Sequence, residues 1–565
     1  MTVNKPISSA GPRETARPSP PERPYQSEYD VVVVGAGGGG LPTALFSRWL
    51  GNSVVILEKA DEIGGTARKA AFWYWVPNNR PMRELGIADP KEDAIRLMAR
   101  LSRPQGYNPD DPKFGMTDWE YAAFEAIYDS ASPAAELLAE RNALPYRHCP
   151  DVVDYWAELP ENKATKGRVL LPLGANETMS DGGKVAIETM SAAAVRDGVE
   201  IRTAHRVQRV IRREDGEIVG VEASTPGGTT RIRARKAVIF VTGGFTHDTT
   251  FRRNYLHAPV FPGCGARSNE GDLIPIATSL GAQLRNMNYA WMCPAPLERI
   301  LDNNPGLIGT FSSPGDSMIW VNTAGKRVAN EKLAYNEMAQ VFFQWDGATS
   351  SYPNLALIAI WDRHSQKNCA SVDYGRYIVP EGTDDRHVIK ADTLEGLKTA
   401  IADRLEKHKA LTGGLSLDKD FLKNLDATIE RFNRFAEAGK DDDFRRGERK
   451  IEVQFNGPVG DDAGSNPTMY PISDTGPYYA TLMTGATLDT KGGPMTTVDG
   501  HILDDTGMPI PGLFGVGNCV ASASGRSYWA GGATLGPILA FAYRAAGAAN
   551  AQPVRTFSTA AQAAE

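Results

Sequence analysis

A chain of 565 residues exceeds what one hydrophobic core usually supports, so two or three structural units are expected. Its 42% hydrophobic and 23% charged content is that of an ordinary folded protein, and no run of about 20 apolar residues is present to cross a bilayer. The net charge of -7 argues against a nucleic-acid partner, which would want a basic face, and five scattered cysteines and eight dispersed histidines lack the spacing of a metal site.

In chain order, residues 1–27 are rich in Pro, Ser and charge and predict a flexible tail. They lack the apolar stretch of a signal peptide, so the expected location is cytoplasmic, with peripheral contact to a lipid surface left open. Residues 30–34 form a β-branched run, the mark of a strand buried on both faces. A glycine-rich turn, a helix over 41–50 and a strand over 54–57 complete a βαβ unit. Strands follow at 199–211, 218–223 and 231–240, the last running into a Thr-Gly-Gly turn at 242–244. From about 291 to 484 the chain changes character, with aromatic-rich strands and helical periodicity over 394–409 and 418–438. A strand at 513–517 and a helix over about 534–549 close the fold, and residues 553–565 read as a second tail.

The turn after the first strand places Gly35, Gly37 and Gly40 in the GxGxxG pattern, and Glu58 follows at the end of the second strand. The first glycine permits the tight turn, the second lets backbone approach a pyrophosphate, and the third lets helix pack on strand; the acid accepts from ribose hydroxyls. An isolated GxGxxG is weak, but here strand, glycines, helix, strand and acid occur in order. NAD and FAD satisfy this fingerprint equally.

Further segments separate the two. Gly64-Gly65-Thr66, the turn containing Gly243, and residues 512–518 ending in Gly517 and Asn518 resemble the flavoprotein family of fumarate reductase. The resemblance spans nearly the whole chain and implies an α/β fold: a Rossmann-like FAD-binding domain from 28–290 and 485–552, with an inserted α+β catalytic domain at 291–484. It implies non-covalent FAD, held by Gly35, Gly37, Gly40, Glu58, Lys59, Gly65, Thr66, Val207, Gly243, Gly517, Asn518 and Leu535, with the helix start at 532–535 aimed at the flavin. Within that family, residues 77–79, 154–156, 290–294, 325–331, 431–444, 488–493 and 527–536 are similar in order to 3-ketosteroid Δ1-dehydrogenases.

Removing two hydrogens beside a ketone needs a polarised carbonyl, a base for the α-proton and a hydride acceptor, which flavin N5 supplies. The resemblance assigns Tyr528 and the Gly532 N–H to the ketone oxygen, Tyr335 to the α-proton and Tyr155 to a proton relay. It also implies a small-molecule substrate that is a cyclic ketone, and an external electron acceptor. A phenol with a reference pKa of about 10 needs activation or a relay to act as a base. The acidic run at 441–443 reads as a solvated face or turn and is assigned no chemistry.

Two departures bear on the substrate. Where steroid-desaturating relatives carry small residues beside the flavin, this chain has Phe72, Trp73, Tyr74 and Trp75, which either fill substrate space and favour a smaller ring or face the core. Trp529 follows Tyr528 where relatives have Pro. Arg68 and Lys69 read as surface charges or a carboxylate-binding pair. The alternatives are the same chemistry on a ring such as cyclohexanone, and a fumarate-reductase-like flavoprotein with convergent Arg and His.

Overall fold

The computed structural model describes residues 24–301, 311–372, 376–456 and 463–556. The β-branched run becomes the strand Ser27–Val34, buried from Asp30 onward. Its side chains alternate between two cores: Val31 and Val33 join Ile56 and Ile239 on one face, while Val32 and Val34 join Val55 and Val238 on the other. Both faces of the sheet are therefore covered, as a near-continuous apolar strand requires.

This central sheet has eight strands. Along its main path the order is His501–Leu503, Pro509–Gly515, Gly228–Phe240, Ser27–Val34, Val54–Leu57 and Glu200–Arg202. The four inner pairings are parallel, with Val31 opposite Val54 and Val34 opposite both Leu57 and Phe240. The hairpin at His501–Leu503 and the excursion through Arg206–Arg212 and Ile218–Thr225 are antiparallel. The fold is α/β, with a mixed sheet.

The single strand expected over 199–211 is two. Glu200–Arg202 extends the parallel sheet beside Val54–Leu57, whereas Arg206–Arg212 pairs with Ile218–Thr225. The chain turns at Ala204, whose φ is 52°, and β-propensity continues through that corner, so the sequence pattern hides the change of partner. Helices Gly40–Trp49, Leu394–Lys407, Phe421–Ala438 and Leu535–Asn550 lie within a few residues of their expected ranges.

A second sheet of five strands is antiparallel and centres on Tyr478–Thr490, which pairs with Ala290–Pro296, Leu357–Asp362 and Ile389–Ala391. Leu397, Ile401 and Leu405 of one helix and Leu425, Ile429 and Phe432 of another cover one face, at the helical spacing read from the sequence. Tyr478–Thr490 runs unbroken through residue 485, so the second sheet leads straight into the nucleotide-binding half.

Beneath this sheet the acidic run divides. Asp441 turns inward and pairs with Arg327 at 2.8 Å, beside Glu331 and Arg446, whereas Asp442 pairs with Lys440 and Asp443 with Arg431 near the surface. A separate buried ion triad joins Arg168 to Asp89 at 2.7 Å and to Asp154. Burial pushes the Asp154 carboxyl up to about 6 although the guanidinium opposes it. Among the described residues, no helix is long and apolar enough to cross a membrane.

Candidate active site

A cavity of about 610 Å3 runs from the first βα turn to an apolar cluster between the sheets. At the turn, Gly35 has φ +106° and a Cβ there would lie 2.4 Å from the Val241 carbonyl oxygen; at Gly40 a Cβ would lie 1.8 Å from the Gly35 oxygen. Neither position admits a side chain. Gly37 instead meets only the Gly64 carbonyl at 3.7 Å and lines the cavity, so a side chain there would occupy the space a pyrophosphate needs. Glu58 accepts from the Ala36 and Ala60 amides at 2.9 Å each and faces the same space, leaving lone pairs for ribose hydroxyls.

Lys59, Gly65, Thr66, Val207, Gly243, Gly517, Asn518 and Leu535 all line this cavity. Lys59 is held by Glu270 at 2.9 Å and Asp272 at 2.6 Å. Thr66 accepts from the Ala266 amide at 2.9 Å. Asn518 accepts from Trp291 Nε1 at 3.2 Å and donates to Asp489 at 3.1 Å.

Asp489 was not singled out in the sequence, although residues 488–493 were. It is fully enclosed and accepts from the Gly244 amide, Thr246, Asn269 and Asn518, so one carboxylate joins the Thr-Gly-Gly turn to the C-terminal return. Burial raises its pKa. No spacing rule marks such a residue, because these partners come from three distant segments.

At the other end of the cavity three phenols meet. Tyr155 donates to the Tyr335 hydroxyl at 2.8 Å, and Tyr528 packs on both, with ring centroids 5.8 Å from Tyr155 and 5.2 Å from Tyr335. Tyr155 is placed by Asp154, which holds Arg168 and accepts from Trp75 Nε1 at 3.1 Å, and by its own amide on the Trp529 carbonyl. Tyr335 opens the helix Tyr335–Val341. Tyr528 receives the Thr534 hydroxyl at 3.2 Å and sits edge-on to Trp291 at 5.0 Å. Lys491 anchors this loop from behind, donating to the Gly525 and Ser527 carbonyls at 2.9 and 2.6 Å.

Burial pushes the Tyr335 pKa well above 10, and the neighbouring phenols add to it; burial also raises Tyr528. Gly532, with φ +88°, lines the cavity within reach of this cluster, and among the described residues its N–H has no hydrogen-bond partner. Its carbonyl accepts from Trp75 and Gly536.

The aromatic segment at 72–75 divides between its two expected roles. Tyr74 and Trp75 are fully buried in core clusters, whereas Phe72 and Trp73 line the cavity. Trp73 stands edge-on to Phe455, centroids 6.2 Å apart. Trp529 turns away from the cavity onto Phe124 and Trp75. Arg68 pairs with Glu188 at 3.1 Å and Lys69 donates to the Cys264 carbonyl, so neither side chain lines the cavity. A cation that does line the cavity is Arg376, which sequence reading passed over because a lone arginine beside a loop carries no pattern.

Comparisons with known proteins give the family and the fold. A family model described as FAD binding domain matches residues 30–535. The chain is 29% identical over 571 residues to 4-oxocyclohexanecarboxylate 2-dehydrogenase of Sinomonas cyclohexanicum, covering 92% of both chains. It is 28% identical over 597 residues to 3-oxosteroid 1-dehydrogenase of Mycolicibacterium smegmatis, covering 92% of this chain and 96% of the other. In fold it matches the 3-ketosteroid Δ1-dehydrogenase of Sterolibacterium denitrificans with a TM-score of 0.79 at 24% identity, over 93% of this chain and all of that one. With the glycine cradle and Glu58 fitted to a dinucleotide and the model match spanning both sheets, the chain belongs to the FAD binding domain family and is an FAD-dependent oxidoreductase.

Proposed function

We propose that the protein removes two hydrogens from adjacent carbons of a cyclic ketone, leaving an α,β-unsaturated ketone. The observation that carries this reading is the convergence of Tyr155, Tyr335 and Tyr528 with the Gly532 N–H, unpartnered among the described residues, in one largely apolar cavity. The Tyr528 hydroxyl and the Gly532 N–H hold the ketone oxygen and stabilise the negative charge that develops there. Tyr335 takes the α-proton. Because its pKa lies above the usual phenol range, Tyr335 rests protonated and accepts the α-proton as the phenolate left once its own proton has passed by way of the Tyr155 hydroxyl, which hands its own proton on to solvent. Bound FAD supplies the acceptor for the β-hydrogen and its electron pair, which an external acceptor later removes.

The wall formed by Trp73 and Phe455 favours a single ring over four, and the similarity to a dehydrogenase named for an oxocyclohexane substrate supports the same choice. The fumarate-reductase-like alternative needs convergent Arg and His, where this cluster presents phenols. Anaerobic flavin bleaching with cyclohexanone, a 3-ketosteroid and succinate tests the reading. Cyclohexanone should bleach the wild type, and Tyr335→Phe should slow bleaching by about 100-fold or more while keeping the yellow spectrum. Bleaching by succinate alone, or normal rates in Tyr335→Phe, would sink it.

A further inference from the structure

Arg376 lines the cavity, and its guanidinium has neither an ion pair nor a hydrogen bond among the described residues. Its backbone is tied down, since its carbonyl accepts from Arg299 Nη1 at 3.1 Å. The other strong cation in the lining, Lys59, is held by two carboxylates, and the acids in the lining are engaged as well: Glu58 by two amides, Asp272 by Lys59 and Arg206, Asp489 by five donors. Arg376 is thus a charge in this wall that no described residue answers.

A half-buried guanidinium facing an apolar cavity loses water without gaining an acceptor, and its planar fork matches a carboxylate through two parallel hydrogen bonds. The same lining holds Phe311, whose ring lies 5.1 Å from that of Tyr335, and Ser312, whose hydroxyl also has no partner among the described residues. Gln454 does not compete, because its amide is committed to the Asp151 carbonyl and the Val153 amide.

We propose that Arg376 binds a carboxylate borne by the ring of the substrate, so that the preferred substrate is an anionic oxo-acid rather than a neutral ketone. The inference rests on the ketone-desaturase reading for the ring and its ketone, and on Arg376 for the charge. Its consequence is orientation: with the ketone oxygen at Tyr528 and Gly532 and the carboxylate at Arg376, the ring is held at two points and the carbon presented to Tyr335 is chosen.

The test uses the full-length holoenzyme with Arg376→Gln and Arg376→Lys. Calorimetric titration with cyclohexanecarboxylate, which has no ketone to desaturate, should show binding to the wild type, about 30-fold weaker binding to Arg376→Gln and an intermediate loss in Arg376→Lys. Anaerobic bleaching by cyclohexanone should stay within about twofold in both variants, because a neutral ketone gains nothing from the guanidinium. Absence of carboxylate binding in the wild type, or equal binding in Arg376→Gln, overturns the proposal. If carboxylate binding follows Arg376 while no ketone bleaches the wild type, the desaturase reading fails and the anion site stands. If ketones bleach normally but a ring-borne carboxylate brings no Arg376-dependent gain in kcat/KM, the anion site fails alone.

Discussion

Burial and the two phenols beside it, with ring centroids 5.4 and 5.2 Å away, make the Tyr335 hydroxyl harder to ionise, because its phenolate would lose water and face two further electron-rich oxygens. For Tyr335 the direction is upward from 10. If it takes the α-proton, the fraction able to do so grows about tenfold per pH unit below that raised pKa, so kcat/KM should climb through pH 10 without a plateau near neutrality. A stopped-flow pH profile of flavin reduction reads this directly, and a profile flat above pH 7 would remove Tyr335 from the role. Gly532 is constrained differently: a Cβ would lie 2.6 Å from the Trp73 carbonyl carbon and 2.7 Å from the Trp75 amide, at φ +88°. Gly532→Ala should therefore lower stability by about 2 kcal/mol and abolish ketone turnover, which thermal melts and bleaching assays separate.

Among the elements, the first βα turn and the segment at 70–75 do most to shape the cavity. In the turn, Glu58 bridges the Ala36 and Ala60 amides, so Glu58→Gln replaces one acceptor oxygen with a donor that faces an N–H. FAD affinity should fall at least about tenfold, read by flavin retained through gel filtration. The short strand Tyr74–Trp75 turns inward while Phe72 and Trp73 face the cavity. Trp73→Ala removes the edge contact with Phe455 and should raise the ratio of kcat/KM for a 3-ketosteroid over cyclohexanone by about tenfold or more. An unchanged ratio would show that ring size is set elsewhere.

For the whole molecule, the site depends on ionic groups buried away from it. Arg168 holds Asp89 and Asp154, and Asp154 precedes Tyr155. Arg168→Met would leave two carboxylates enclosed without a counter-charge, an effect of about 3 to 5 kcal/mol. Denaturant unfolding should show that loss, and the surviving folded enzyme should desaturate more slowly because Tyr155 loses its anchor. The helix Leu535–Asn550 packs through Ala540, Ala542, Ala545, Ala546 and Ala549 onto the helix after the glycine turn, which keeps the C-terminal return against the first βα unit.

The local code sufficed for the βαβ unit, the glycine turn and Glu58, because strand burial, tight turns and an acid after the second strand are short-range requirements. Helical periodicity likewise marked the helices covering the second sheet. The cavity-facing tyrosines were legible only through likeness of whole segments, since a single tyrosine among 19 carries no pattern of its own. Tertiary structure alone decided which half of residues 72–75 meets the cavity, the split of 199–211 into two strands with different partners, and the convergence of four sequence-distant donors on Asp489. It also decided that Arg376 stands unpaired in the wall among the described residues. These depend on contacts between segments hundreds of residues apart, where pairing is chosen by packing and charge rather than by neighbours in the chain.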